Sequence, residues 1–245
     1  MLNFRSIKQQ CTKTLVIEFS IGVILFVGGI LLKYLPSYQM DIPLERKNFN
    51  VTYPLVSETF PFLFCCIFSW CIPVIVIFYF AQKRNSSKYF ITSITSFFFA
   101  VSLCLFLTNA FKLFAGKPRP NYYSLIDNKK ASKVYQSFPS GHSSTTFNGM
   151  MFLTLLLCGE YKIFNGEGSI LKLVGCCLPL LFGCIVAISR VRDYFHGYDD
   201  IIAGSLLGCL TAVLCYVLKF KVLWSTNSGE IETEEYKEFD DNYIV

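Results

Sequence analysis

The chain has two histidines, and each stands beside groups suited to phosphate. His142 closes the run Pro139-Ser140-Gly141-His142. Small residues opening a helix leave unpaired backbone N–H groups and the positive end of the helix dipole facing an anion, and Ser140 adds a hydroxyl donor. His196 follows Ser189-Arg190, whose planar guanidinium matches phosphate oxygens two at a time. Asp200 comes four residues after His196, so in a helical segment the two side chains share a face. A carboxylate there accepts the imidazole N–H, fixes the tautomer, turns the other ring nitrogen outward and stabilises the positive charge that forms on attack. Asp199 would point elsewhere on such a helix. Lys112 and Arg119 supply two more cations upstream. Each piece alone has a plain alternative: a polar pair at a helix start, a turn and cap, a lysine snorkelling to headgroups. Their weight comes from converging on one face.

That convergence requires elements able to bring positions 112 to 200 together. Of the 245 residues, 53% are hydrophobic and only 16% charged, with a mean hydropathy of +0.46; soluble chains carry about 25% charged residues. A bilayer core takes about 20 apolar residues in a helix. The expectation is an all-α, polytopic bundle of about six spans, near 15–35, 60–81, 90–114, 143–157, 170–188 and 200–223. The first is read as a retained span, because it is long, contains Glu18 and lacks a small-residue cleavage site. Spans four and six then run in the same direction, and both histidines meet the face where span three delivers Lys112 and Arg119. The long connections 36–59 and 115–142 lie on that side. One membrane domain, 1–224, is expected, followed by a polar, acidic, flexible tail, 225–245.

The net charge of +5 does not signal a nucleic-acid partner. Lys and Arg sit in the short polar gaps beside headgroups, and no basic face repeats at helical spacing. Nearly all of the 11 cysteines lie in apolar runs without a CxxC, which fits packing between helices. Glu18 is placed at the polar edge beside Lys13. The sequons at Asn50 and Asn85 fall on opposite faces and leave orientation open, as does the even division of basic residues. Tyr236-Lys237-Glu238-Phe239 fits a tyrosine-based sorting signal, a match that arises easily by chance.

The spacing resembles the type 2 phosphatidic acid phosphatases. Lys112, six residues and Arg119-Pro120 match the first signature of that family, Pro139-Ser140-Gly141-His142 the second, and Ser189-Arg190, five residues, His196, three residues and Asp200 the third. All three fit without substitution and in order. The resemblance implies a lipid phosphate phosphatase with a phosphohistidine intermediate and a site facing the lumen or exterior. His196 would be the nucleophile and His142 the general acid and base. Lys112, Arg119, Arg190, Ser140 and the Gly141 N–H would surround the phosphate oxygens. Lys117 and Arg192, between motif positions, are read as charge bias.

No cofactor is expected, since Lys112, Arg119 and Arg190 would repel a metal ion while doing its electrostatic work. The expected partners are a lipid phosphate and the surrounding membrane lipids. Polyprenyl diphosphates or a sugar phosphate remain alternatives within the enzyme class. A transporter or an inactive adaptor is the alternative outside it. Against transport, the middles of the spans carry almost no ionisable residues.

Overall fold

The computed structural model describes residues 12–42, 51–128, 134–166 and 168–232. Among them are α1 (Lys13–Leu32), α2 (Phe62–Lys83), α3 (Ser87–Ala115), a short α4 (Tyr122–Asp127), α5 (Gly141–Glu160), α6 (Ile170–Arg192) and α7 (Tyr198–Val217). Side-chain oxygens of Thr12, Ser86, Ser140 and Ser169 cap α1, α3, α5 and α6 by accepting otherwise unpaired N–H groups of the first turn. Apart from the isolated bridge between Phe220 and Ile231, the described chain is helix and loop. Asn50, residues 129–133 and the sorting-signal match at 236–239 lie outside the described residues.

The six long helices stand where six spans are expected. Five of them, α1, α2, α3, α6 and α7, are long and apolar enough to cross a membrane. The remaining one, α5, has 20 residues, enough to extend about 30 Å, but it opens with Gly-His-Ser-Ser-Thr-Thr. Its position accounts for its composition. It packs against α2, α3, α6 and α7, and most of its side chains are buried, so it meets neighbouring helices where the outer helices meet lipid. The outer helices carry the exposed apolar residues, including Ile24 and Leu31 on α1 and Leu171 and Leu178 on α6.

Without a hydrophobic drive between helices in lipid, α5 is held by close backbone approach and buried hydrogen bonds. The Ser144 hydroxyl accepts from the Thr108 hydroxyl of α3 at 2.8 Å. Asn148 donates its amide to the Ala100 carbonyl of α3 at 3.2 Å and to the Thr211 hydroxyl of α7 at 2.9 Å. Gly149 lets α2 pass so closely that a Cβ there would overlap the Ser69 carbonyl. The outermost helix, α1, rests on α3, with the Asn109 amide donating to the Gly29 carbonyl at 2.9 Å.

The ends of α1, α3 and α6 and the starts of α2, α5 and α7 share one end of the bundle. The long connections cross-link there: Tyr38 N–H donates to the Leu113 carbonyl, and Tyr53 N–H to the Pro120 carbonyl. Gly116 ends α3 at φ +54, with Tyr38 packed where a side chain would project. At the opposite end Glu18 pairs with Lys219, beyond the end of α7, and Arg84 of the α2–α3 turn pairs with Glu160. Residues 219–232 fold back on this end, with Lys221 N–H on the Glu230 carbonyl and the Ser228 hydroxyl on the Gly159 carbonyl. The ten described cysteines are free.

Gly149→Val should force α2 from α5 and cost about 1–3 kcal/mol, the scale of overpacking. Gly175→Val, on α6 with open space beside it, should not. Thermal unfolding in detergent should therefore separate the two variants, and equal midpoints would contradict the close α2–α5 contact.

Candidate active site

The site forms where the three motif segments meet at the end of the bundle. His196 lies in the turn from α6 to α7. The Phe195 and His196 N–H groups both bond the Arg190 carbonyl, at 3.0 and 3.3 Å, while Tyr194 takes a left-handed conformation at φ +59. Helix α7 starts only at Tyr198, so His196 and Asp200 do not meet as neighbours on a helix face. They meet because Asp200 turns back over the first turn, its Oδ2 accepting the Gly197 N–H at 2.9 Å. The same oxygen accepts the Ser137 hydroxyl and lies 3.5 Å from His196 Nδ1. At that separation the imidazole is oriented by the carboxylate without an aligned hydrogen bond, since Nδ1 has no hydrogen-bond partner.

Asp200 is fully buried, and its other oxygen accepts from Lys117 Nζ at 2.8 Å. Lys117 also pairs with Asp199, which is largely exposed. Burial works against the charge on Lys117, but its bonds to Asp199 and Asp200 outweigh it and raise the pKa above the usual lysine value. Lys117, read from sequence as charge bias, thus holds the carboxylate behind His196. The Ser140 N–H bonds the Asp200 backbone carbonyl at 2.9 Å.

Lys112, in the last turn of α3, donates to the Gln136 carbonyl at 2.7 Å, and Arg119 reaches the same oxygen at 3.5 Å. One carbonyl therefore gathers both cations. Arg119 also lies over the Phe195 ring, 5.7 Å from its centroid. Its burial pulls the guanidinium down to about 10, which leaves it charged at neutral pH. Lys112 passes beside Gly141, its Cε 3.7 Å from where a Cβ on that glycine would sit.

The second histidine opens α5. Ser140 caps that helix, its hydroxyl oxygen accepting the Ser143 N–H at 3.4 Å. His142 Nε2 lies 3.4 Å from Arg190 Nη1, and the ring stands edge-on to Phe62. Arg190 is fully buried. The Ser189 hydroxyl accepts from its Nε and Nη2 at 3.1 and 3.0 Å, and Asp193 from Nη2 at 2.9 Å, which fixes the fork with Nη1 toward His142.

His196 is held well below the usual histidine value, chiefly by burial and further by Arg119 and Lys112, against the opposing pull of Asp200. It is therefore neutral at pH 7, the state a nucleophile needs. The arrangement provides an unprotonated imidazole with a carboxylate behind it, two cations that act on it, and a second imidazole paired with a third cation. Groups of these kinds are able to supply an attacking nitrogen, a proton donor and counter-charges for a tetrahedral anion.

Sequence reading missed several parts of the site. Asp193, Ser137 and the Gln136 carbonyl all lie inside or beside the motif segments, and the i,i+3 spacing of Arg190 and Asp193 was a visible signal. Glu58 and Thr59 gave none. They come from the loop before α2, where Thr59 donates its N–H and hydroxyl to Asp193, both at 2.7 Å. Glu58 Oε2 lies 3.6 Å from His142 Nε2 and 3.5 Å from Arg190 Nη1. Pairing with His142 is the main influence lowering the Glu58 carboxyl below its usual value, against partial burial.

Two measurements test this geometry. Lys117→Met should cost about 2 kcal/mol in unfolding free energy, the scale of a charged hydrogen bond, and should slow turnover; Lys117→Arg should keep much of both. In the second, the unfolded chain binds a proton at His196 near pH 6.5 while the folded site does so only well below, so stability falls as pH drops below about 6.5. The fall in thermal midpoint between about pH 7.5 and 5.5 should be smaller in His196→Gln than in the wild type, and an equal fall would contradict a neutral buried His196.

The chain is similar to known proteins over much of its length. The chain is 37% identical over 185 residues to lipid phosphate phosphatase 1 of Arabidopsis thaliana, covering 68% of this chain and 57% of that protein. It is 34% identical over 194 residues to a PA-phosphatase related-family protein of Dictyostelium discoideum, covering 77% and 71% respectively. It is 27% identical over 241 residues to the probable diacylglycerol pyrophosphate phosphatase 1 of Schizosaccharomyces pombe, covering 88% and 86%. No solved structure matches it. The PAP2 superfamily model matches residues 93–224, more than half of the chain and every motif residue at the site, and the chain belongs to that superfamily.

Proposed function

We propose that this protein is a membrane-embedded lipid phosphate phosphatase that works through a phosphohistidine and without a metal ion. The observation that carries this reading is the buried, neutral His196, backed by Asp200 and acted on by Lys112 and Arg119, at one end of a lipid-facing bundle. Relatives named for lipid phosphates and for diacylglycerol pyrophosphate support the substrate class. A headgroup would enter at the interface while its acyl chains stay in lipid. Phosphatidic acid, its lyso form and sphingoid phosphates all satisfy that requirement. The site would face the lumen or exterior, and the chain's first and last helices both have their far ends on the opposite side.

In this mechanism Asp200 faces Nδ1 of His196, so Nε2 attacks phosphorus in line. The N–P bond forms as the P–O bond to the lipid breaks, and His142 gives its proton to the departing oxygen. Water then attacks the phosphohistidine, His142 takes a proton from it, the N–P bond breaks, and inorganic phosphate leaves with His142 reprotonated. Lys112, Arg119 and Arg190 balance the charge on the oxygens, the Gly141 N–H and the Ser140 hydroxyl add donors, and each well-placed donor is worth about 10²–10³ in rate. These three cations take the electrostatic role that a divalent ion fills elsewhere and would oppose its entry.

Phosphate release from phosphatidic acid in mixed micelles tests this directly. His196→Ala should lower turnover by a factor on the order of 10⁴, and His142→Ala by about 10²–10⁴, with less loss on substrates whose leaving group needs no proton. Turnover should continue in excess chelator. Activity lost to chelator and restored by one divalent ion would replace this mechanism with a metal-dependent one, and full activity in His196→Ala would remove the nucleophile.

A further inference from the structure

One charged group at the site has no part in this mechanism. The Glu58 carboxylate reaches His142 Nε2 and Arg190 Nη1 with a single oxygen, at 3.6 and 3.5 Å. Its loop is tied to the motif segments on both sides. Thr59, the next residue, donates twice to Asp193, which in turn accepts from Arg190. Tyr53 donates its N–H to the Pro120 carbonyl and stacks on Tyr194 with centroids 4.6 Å apart. Glu58 is therefore carried on a loop fixed to the same segments that carry the cations.

Glu58 aside, the main charges acting on His142 are both positive. Nε2 lies 3.4 Å from Arg190 Nη1, a geometry that favours a neutral imidazole whose lone pair accepts that N–H. Burial is the largest influence against the protonated ring, Arg190 and Arg119 add to it, and Glu58 opposes all three. Other ionisable groups around α5 are engaged elsewhere: Lys112 of α3 with the Gln136 carbonyl, Asp200 of α7 with Lys117 and Ser137, and Asp193 with Arg190 and Thr59. From α2 the Phe62 ring is uncharged, and the Cys65 thiol interacts with Arg190 and Glu58. A neutral His142 has no proton to give a departing oxygen.

We infer that Glu58 is a positioning residue for that proton: its carboxylate keeps His142 Nε2 protonated between two guanidiniums until a lipid phosphate arrives. This role rests on the proposed phosphatase reading, in which His142 protonates the departing oxygen. A carboxylate shared by three cations need leave no net negative charge. It has only to offset enough positive charge for an imidazolium to stand beside Arg190. Once phosphate enters, its own oxygens serve as the counter-charge, and the Glu58 side chain, 37% exposed, has solvent to shift into. Glu58 thus sets the protonation of the free enzyme, which is the state that kcat/KM reports.

The test is the pH dependence of kcat/KM for phosphatidic acid in mixed micelles, using the purified full chain as wild type, Glu58→Gln and Glu58→Asp. The falling limb at high pH marks loss of the His142 proton. Glu58→Gln should move that limb about one pH unit lower, the scale for removing an adjacent opposite charge. kcat/KM should then fall about tenfold at about pH 7.5 and approach the wild-type value as the pH drops toward about 5.5. Glu58→Asp should keep the limb near its wild-type place. In a His142→Ala background Glu58→Gln should shift no limb, because no proton remains for it to hold. A limb unmoved in Glu58→Gln, an even loss at every pH of the kind disturbed packing gives, or a shift that persists without His142 overturns the role and leaves the phosphatase reading intact. A wild type that hydrolyses no lipid phosphate overturns both.

Discussion

The end of the bundle where the three motif segments meet is organised around one buried carboxylate. Asp200 receives Lys117 from the segment after α3, Ser137 from the segment before α5, and Gly197 from the turn before its own helix. Its backbone carbonyl takes the Ser140 N–H as well. A charge with no access to water is tolerated only when its lone pairs are met, and here the groups that meet them come from all three motif segments. Satisfying Asp200 is thus the same event as assembling the site.

The two imidazoles have carboxylates of different kinds. His196 is buried, and its partner Asp200 is buried with it and anchored by three donors, so that pair is rigid and keeps its position as charge develops. His142 faces Glu58, a half-exposed residue on a loop, together with the immobilised Arg190. A nucleophile gains from a fixed orienting group, whereas a proton donor must serve first a departing oxygen and then water. The difference in the anchoring of the two carboxylates suits the division of work proposed for the two imidazoles.

The demands of the site also explain the least apolar of the long helices. The start of α5 carries the Ser-Gly-His segment proposed to bind phosphate, and the helix then runs through the centre of the bundle with Ser144 and Asn148 bonded to α3 and α7. Such polar groups would be costly against lipid and cost less between helices, where the Ser144 hydroxyl and the Asn148 amide N–H find partners. The close passage at Gly208 keeps α7 near enough for the Thr211 bond to form, and the one at Gly149 brings α2 against the same helix. The outer helices α1 and α6, free of this constraint, turn long apolar side chains to the surface.

The sequence by itself determined the architecture and the main actors, for physical reasons that are local. A run of about 20 apolar residues has few options other than a membrane helix, and the parity of such runs placed His142, His196, Lys112 and Arg119 at one end before any coordinates. Residue type and spacing then identified the groups able to handle phosphate. Tertiary structure decided what depends on contacts between distant segments. Lys117 proved to be the cation behind Asp200, and the Gln136 carbonyl the oxygen that gathers Lys112 and Arg119. Asp200 faces His196 through a capping turn where a helix face was expected. Glu58 and Thr59 had no signature, because a lone Glu-Thr in a polar loop looks the same wherever it lands. Only the path of the loop before α2, fixed by Tyr53 on Pro120 and Thr59 on Asp193, carries a carboxylate across 84 positions of sequence to a histidine 3.6 Å away.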